Sequence, residues 1–174
     1  MHMKLLIAAI LSGAFLVTAS PSSFSFEEDF KNVEAPMDDM ESLIPQSDLI
    51  IRGHVRTLQA DLRRTAVEIQ VVKVYKGDPA IRLLWLEYRG GKHTVYPDEP
   101  TFTSFDKSIL FLKKEGERYA IVGGARGKKL MMNDNVYIMP DNRFVSIKIK
   151  KYEDILTKTI QAAAAPAAEQ KPLT

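Results

Sequence analysis

Apolar and polar residues alternate through the middle of the chain with the two-residue period of β-strands. Residues 49–56 alternate from Ile51 onward. Residues 65–75 do so as far as Val71, where the apolar positions slip by one to Val72. One extra residue in one of two paired strands produces such a slip, so we predict a β-bulge at this point.

Shorter strand patterns follow, separated by glycine, proline and charged residues. Residues 81–88 are almost continuously apolar, which predicts a strand that is buried on both faces for part of its length, with Trp85 in the core. Residues 89–92 indicate a hairpin turn that leads into a strand at residues 93–96. The other predicted strands cover residues 108–112, 118–122, 129–132, 136–139 and 144–149.

Two segments favour helices. A short N-terminal helix is predicted after Asp38, with acidic residues in its first turn and Pro45 at its end. Residues 151–163 carry apolar side chains near the helical period. The whole pattern predicts a mostly β protein: a small closed antiparallel OB-like barrel over residues 46–150, flanked by the short N-terminal helix and the C-terminal helix. Short strands bent by glycine and by a bulge favour closure over a flat sandwich.

The first 19 residues have the features of a secretory signal peptide. Lys4 precedes the apolar run 5–17, and small residues close the segment at Ala19. The run is shorter than the roughly 20 residues of a membrane-spanning helix, so we expect no transmembrane segment after cleavage. The sequence therefore predicts a periplasmic or secreted protein whose mature chain starts near Ser20.

The charges of the remaining chain are unevenly distributed. Residues 20–48 hold eight acidic residues and one lysine, whereas residues 49–174 hold 22 basic and 14 acidic residues. We interpret residues 20–45 as an acidic flexible arm that includes the short helix, and residues 164–174 as a disordered tail. An acidic arm in front of a basic body favours solubility and electrostatic attraction between the two.

The chain contains no cysteine. An exported protein without cysteine holds its fold by packing alone, because it lacks the disulfides of many small secreted domains. Thiol catalysis, thiolate metal sites, thioether haem attachment and a bacterial lipid anchor are all excluded for the same reason.

Two segments resemble a known family. The stretches SDLIIRGHV, residues 47–55, and VEIQVVKVYKG, residues 67–77, resemble the first strands of the netrin-like and metalloproteinase-inhibitor-like OB-fold domains. They are also similar to uncharacterised secreted bacterial domains of this type, in which a "FL" strand and a Gly-Gly segment follow. Residues 108–112 and 122–127 occupy the matching places here.

The resemblance covers residues 47–135 and implies an OB-like barrel, since strand patterns specify a backbone shape more than an activity. The inhibitor family coordinates the zinc of a protease through an N-terminal cysteine that disulfides hold in place. This chain has no cysteine, so the resemblance does not imply metalloproteinase inhibition.

Aromatic and basic residues gather in residues 89–106 and 123–129. OB barrels bind ligands with such residues on one face. We therefore expect a non-enzymatic binding module of the bacterial envelope, a monomer whose partner is an envelope protein or an anionic polymer rather than nucleic acid. The predicted binding surface comprises Tyr88, Tyr96, Phe102, Phe105, Arg126, Lys128 and Lys129.

Two alternatives remain open at this point. One is a small exported hydrolase that uses His54, Glu87 and His93, which requires these three side chains to converge. The other is a structural accessory of a larger envelope complex. The spacing of the histidines fits no metal-binding motif, and His54 stands between two arginines. We therefore predict no metal site, no cofactor and no catalytic residue.

Overall fold

A computed structural model describes residues 39–138 and 145–165. The predicted signal peptide, residues 20–38 of the predicted acidic arm and residues 166–174 of the predicted tail lie outside the described residues. The helices are α1 (Met40–Gln46) and α2 (Ile149–Ala164). The strands are β1 (Leu49–Ala60), β2 (Arg64–Lys76), β3 (Leu83–Arg89), β4 (Lys107–Glu115), β5 (Arg118–Ile121), β6 (Lys128–Met132), β7 (Asn135–Ile138) and β8 (Val145–Lys148).

Five strands close into a barrel in the order β1-β2-β3-β5-β4, and β4 pairs back onto β1. The predicted closed OB-like barrel is thus confirmed. Four of its five strand pairings are antiparallel, but β3 and β5 run parallel and meet at one register pair, Leu86 with Tyr119. We call this weakly paired line between β3 and β5 the seam.

The sheet continues beyond the barrel. Along one edge of β4, residues 112–115 pair with β5 and residues 107–110 pair with β6. β7 and β8 then follow in antiparallel order. This extension and the two helices lie against the outer surface of β1 and β4, so one side of the barrel wall is covered.

The described residues form two apolar clusters, one on each surface of the covered wall. The interior cluster fills the barrel and consists of Leu49, Ile51, Val55, Val67, Ile69, Val71, Leu84, Leu86, Phe102, Leu110 and Leu112. The outer cluster joins the wall to the helices and the sheet extension, and includes Leu43, Ile44, Ile50, Ile109, Phe111, Val136, Tyr152 and Leu156. β1 and β4 contribute to both clusters.

The predicted bulge lies in β2. Arg52 pairs with Lys73, and its neighbour Gly53 pairs with Val71, so that Val72 is the extra residue. The side chain of Val72 is 56% exposed, and the expectation that the apolar face continues through it is wrong. The bulge turns Val72 outward and restores the inward phase later in the strand.

Two expectations for the middle of the chain are also wrong. β3 alternates between buried and exposed residues, and Trp85 is 45% exposed instead of lying in the core. Residues 93–96 form no strand, since the hairpin signal before them closes only the isolated bridge between Gly91 and Thr94. Burial on both faces falls on β4 instead, where residues 108–112 are all buried.

Both predicted helices are present with small shifts. α1 extends one residue past Pro45, and α2 begins at Ile149, two residues earlier than predicted. No helix in the described part of the chain is both long enough and apolar enough to cross a membrane.

Candidate binding site at the end of the barrel

The long connection between β3 and β4 closes one end of the barrel and rests on the turn between β1 and β2. The amide of Gly90 donates to the Arg63 carbonyl and that of Lys92 to the Asp61 carbonyl, both at 2.8 Å. A Cβ atom on Gly91 would lie 2.2 Å from the Asp61 carbonyl oxygen, so this close approach requires glycine. Backbone contacts thereby fix the first part of the connection.

Between the connection and the strand ends lies a cavity of about 260 Å³, which we call the barrel-end pocket. Its wall is mostly apolar. The ring centroids of Tyr88 and Phe102 are 5.6 Å apart in a tilted arrangement. The main apolar and aromatic residues that line the pocket are Leu58, Ala60, Tyr88, Val95, Tyr96 and Phe102.

Two charged side chains stand at the rim of this pocket, Arg89 and Glu99. The guanidinium of Arg89 lies 5.1 Å from the centre of the Tyr96 ring. It donates to Glu99 at 2.9 Å and to Asp98 at 3.3 Å. The hydrogen bond to Glu99, together with the charges of both carboxylates, raises the pKa of Arg89 above its usual value. Ion pairs therefore hold the Arg89 side chain at the rim, and its guanidinium stays charged.

A buried ammonium group supports the pocket from behind. The Nζ atom of Lys128 lies 4.2 Å from the centre of the Phe102 ring and 2.7 Å from Asp106 Oδ2, and it also donates to the Thr101 carbonyl. Burial alone would raise the pKa of Asp106, but hydrogen bonds from Lys128 and Thr103 outweigh it and hold that pKa below its usual value. This ion pair ties the connection to β6.

The structure gathers three of the seven residues of the predicted binding surface, since Tyr88, Tyr96 and Phe102 line the same pocket. Phe102 is itself only 7% exposed, and it presents one edge of the pocket rather than an open platform. Phe105 is 81% exposed and lies outside the pocket on a separate turn.

The predicted basic rim is not formed. Lys128 is engaged under Phe102, and Lys129 is 4% exposed on the covered wall. Arg126 is exposed but lies 3.5 Å from Asp39 beside a neighbouring groove. The sequence shows three cations close together. In the structure, Lys128 and Lys129 are neighbours in β6 and point to opposite faces of the sheet, and Arg126 lies in the turn before the strand.

The neighbouring groove follows the seam and has a volume of about 460 Å³. The glycine-rich segment 123–127 forms one of its walls as a 3₁₀ turn, Gly124–Gly127. A Cβ atom on Gly124 would lie 2.0 Å from the Asp98 carbonyl oxygen, and the next amide, of Ala125, donates to that oxygen at 2.9 Å. The glycines therefore hold the connection in place.

The structure does not bring together His54, Glu87 and His93. His54 lies within β1, and Glu87 lies two strands away at the level of Gln59. Five residues of strand separate these levels by about 16 Å. Both oxygens of the Glu87 carboxylate are occupied, by Arg64 at 2.6 Å and by Arg118 at 2.8 Å.

His93 is exposed in the turn that rests on the other end of β1, next to the bridge from Gly91 to Thr94. The geometry therefore gives the hydrolase alternative no shared site. Within residues 39–138 and 145–165, no three histidine, aspartate or glutamate side chains lie close enough together to hold a metal ion.

Sequence reasoning missed the aliphatic half of the pocket. Leu58 is out of phase with the inward residues of β1, because a second irregularity in register falls between Val55 and Thr57. The useful signal was the Gly-Gly pair of the hairpin motif. This pair predicted a turn, and in the structure Gly91 lets the connection pack closely against the Asp61 carbonyl.

Comparison with models of known protein families found no match, and neither did a search of curated proteins. The function is therefore argued from the geometry of the barrel end.

Proposed function

We propose that this protein is a non-enzymatic binding module of the bacterial envelope, and that its barrel-end pocket accepts an apolar side chain of a partner protein. The supporting observation is the pocket itself, in which two tyrosines and a phenylalanine face aliphatic residues of β1 and the connection. Interfaces bind most tightly where one buried anchor fills such a pocket. A volume of about 260 Å³ suits a single leucine or phenylalanine side chain.

The charges around the pocket favour a protein over an anionic polymer as the partner. Of the three cations of the predicted basic rim, Lys129 is buried, and the side chain of Lys128 is only 9% exposed and is paired with Asp106. Arg89 stands at the pocket but is shared between two carboxylates. A polyanion needs several unpaired cations in a row. An apolar pocket with one fixed guanidinium at its rim suits a peptide segment, whose backbone carbonyls accept hydrogen bonds.

The cellular setting of the proposal rests on the sequence. The signal features of residues 1–19 support export, and the OB-like strand order supports kinship with the netrin-like domains that residues 47–77 resemble. Monomeric behaviour is part of the same proposal. The pocket opens at the end of the barrel, where a partner reaches it without displacing a strand.

Titration of the ¹⁵N-labelled chain with single capped amino acids tests the pocket. We expect N-acetyl-phenylalaninamide and N-acetyl-leucinamide to shift the amide signals of Gly90 and Gly91, with dissociation constants on the order of millimolar for ligands of this size. N-acetyl-serinamide, which has no apolar side chain, is expected to leave the same signals in place.

Two matched variants test whether the amide shifts arise from binding in the barrel-end pocket. Ala60→Phe fills the pocket and should abolish the shifts, whereas Ala66→Phe adds the same ring to a half-buried position of β2 outside the pocket and should retain them. Thermal melts confirm that both variants fold. Equal responses from the two variants, or shifts caused by all three probes alike, would refute the pocket as a side-chain site. In envelope extracts, a true partner is held by wild type and Ala66→Phe and is lost with Ala60→Phe.

A further inference from the structure

Phe105 combines two features that seldom occur together in an aromatic residue. Its side chain is 81% exposed, and its backbone has a φ of 70°, in the left-handed region. Asn133 and Asp134 are the other non-glycine residues of the described chain with positive φ, and both are types that tolerate this region. A bulky aromatic residue does not, so the turn is strained at the residue it exposes.

Both ends of this turn are fixed. The Asp106 carboxylate accepts hydrogen bonds from the amide and the hydroxyl of Thr103, and the Asp106 amide donates to the Thr103 carbonyl at 3.2 Å. The buried ion pair with Lys128 holds the same carboxylate, and the Asp106 carbonyl accepts from the amide of Val55 at 2.8 Å. Together these bonds fix the backbone conformation of the turn and keep the Phe105 side chain pointing outward.

The exposed charges beside the ring are positive. The contact between Val55 and Asp106 places Arg56 next to the turn, and Lys107 follows it directly in the chain. Both side chains are exposed. Arg56 Nε lies 3.7 Å from Glu68 Oε2, but the Arg56 side chain is 60% exposed whereas that of Glu68 is 13% exposed. The Asp106 side chain is 15% exposed and is paired with Lys128. The surface therefore consists of one apolar tip between two cations.

The size of the apolar tip indicates what it binds. A phenylalanine side chain offers roughly 150–250 Å² of surface, whereas a stable protein interface buries about 800 Å² on each partner. Phe102 and Val55, which adjoin the turn, are buried and add nothing to it. A projecting aromatic side chain needs no complementary pocket when it inserts into the interfacial region of a bilayer. The cations beside it can then contact anionic headgroups.

We propose that the turn of residues 103–106 docks the protein on an anionic phospholipid surface, with Phe105 inserted at headgroup depth and Arg56 and Lys107 against the phosphates. This surface is separate from the barrel-end pocket. It leaves the pocket free for a partner while the protein stays at the membrane.

Co-sedimentation with vesicles tests the proposal. The chain from Ser20 onward is used for every variant, so that the apolar run 5–17 does not contribute. We expect binding to phosphatidylglycerol/phosphatidylethanolamine vesicles that weakens with salt, and little binding to phosphatidylcholine vesicles. Phe105→Gly suits the positive φ and leaves the turn intact, yet it should lower partitioning by about tenfold.

Leu62→Ser is the matched control, since it removes an apolar side chain that is 67% exposed on another turn, and it should bind as wild type does. In a Trp85→Phe background, Phe105→Trp should show a blue-shifted emission on adding the anionic vesicles. Equal sedimentation of wild type and Phe105→Gly would overturn the proposal, and so would an unshifted emission of Trp at residue 105. Absence of vesicle binding together with loss of a captured protein in Phe105→Gly would assign the ring to a protein partner instead.

Discussion

The two sides of the barrel wall differ in what lies outside them. On the covered side, β4 packs Leu110 and Leu112 inward and Ile109 and Phe111 outward against the helices and the sheet extension. On the open side, β3 has a similarly apolar sequence but leaves Trp85 exposed. Two strands with similar composition thus have different environments, because burial on the second face depends on which elements return to cover it.

The ion pairs of the two sides differ in the same way. On the covered side, Glu153 of α2 accepts from Arg52 at 2.7 Å, from Lys73 at 2.8 Å and from the hydroxyl of Tyr75. Burial, and then the hydrogen bond to Glu153, raises the pKa of Tyr75. On the open side, Glu87 joins two arginines, and its side chain is 32% exposed compared with 14% for Glu153. The first cluster fastens a helix to the barrel, whereas the second joins neighbouring strands at the surface.

The largest difference is expected between two aromatic truncations. Phe111→Ala removes a fully buried ring from the outer cluster and should lower the free energy of unfolding by about 3–5 kcal/mol. Trp85→Ala removes a larger but half-exposed ring from the open side and should cost less than about 1 kcal/mol.

Urea unfolding followed by far-UV circular dichroism measures both values. Similar losses for the two variants would mean that the open side is covered in solution, and the contrast between the two sides would fail.

A smaller effect is expected when the charge that holds α2 is removed. Glu153→Gln leaves two cations and a half-buried hydroxyl without their carboxylate and should cost about 2 kcal/mol. Burial alone would raise the pKa of Glu153, but hydrogen bonds from Lys73 and Tyr75 lower it below the ordinary 4.5. A lowered pKa contributes stability above the unfolded value that is lost as pH falls through the folded value.

The difference between wild type and Glu153→Gln should therefore be full at pH 7 and should shrink as pH falls below about 4.5. Unfolding curves over this range measure it. A difference that stayed constant down to pH 2 would show that the variant acts through packing and not through charge.

The smallest effect is expected from the same substitution on the open side. Glu87→Gln removes a carboxylate from two exposed arginines and should cost about 0.5 kcal/mol or less, because solvent and salt screen such pairs. Repeating the measurement in 0.5 M NaCl should erase the loss. If Glu87→Gln cost as much as Glu153→Gln, exposure would not separate the two clusters.

Local patterns predicted where the strands lie better than they predicted which strand faces are buried. The alternation of residues 49–56 and 65–75 placed β1 and β2, and the slip after Val71 located the bulge. The local pattern could not show that β4 is buried on both faces. Its outer face is covered by α1 and α2, and these helices precede and follow the barrel strands in the sequence. The strand predicted at residues 93–96 has suitable β-formers but no neighbouring strand to pair with.

The binding surface was predictable only in its aromatic part. Tyr88 at the end of β3 and Tyr96 and Phe102 in the connection after it are close in sequence, so a search for clustered aromatics finds them. Lys128 and Lys129 share a basic run with Arg126, and only the sheet register shows that their side chains diverge. The strain at Phe105 has no signal in sequence, because the turn is fixed by the bonds that Asp106 makes with Thr103 and Lys128.

The seam is the most weakly paired line in the barrel wall. Leu86 and Tyr119 form its one register pair, while β2 and β3 share seven and β1 and β4 share six. Opening the wall along the seam breaks this pair and the ion pair between Glu87 and Arg118, while the antiparallel ladders from β3 to β2 and from β5 to β4 stay intact. The β5 amides that face β3 are therefore expected to exchange with solvent by local opening, before those bonded to β4.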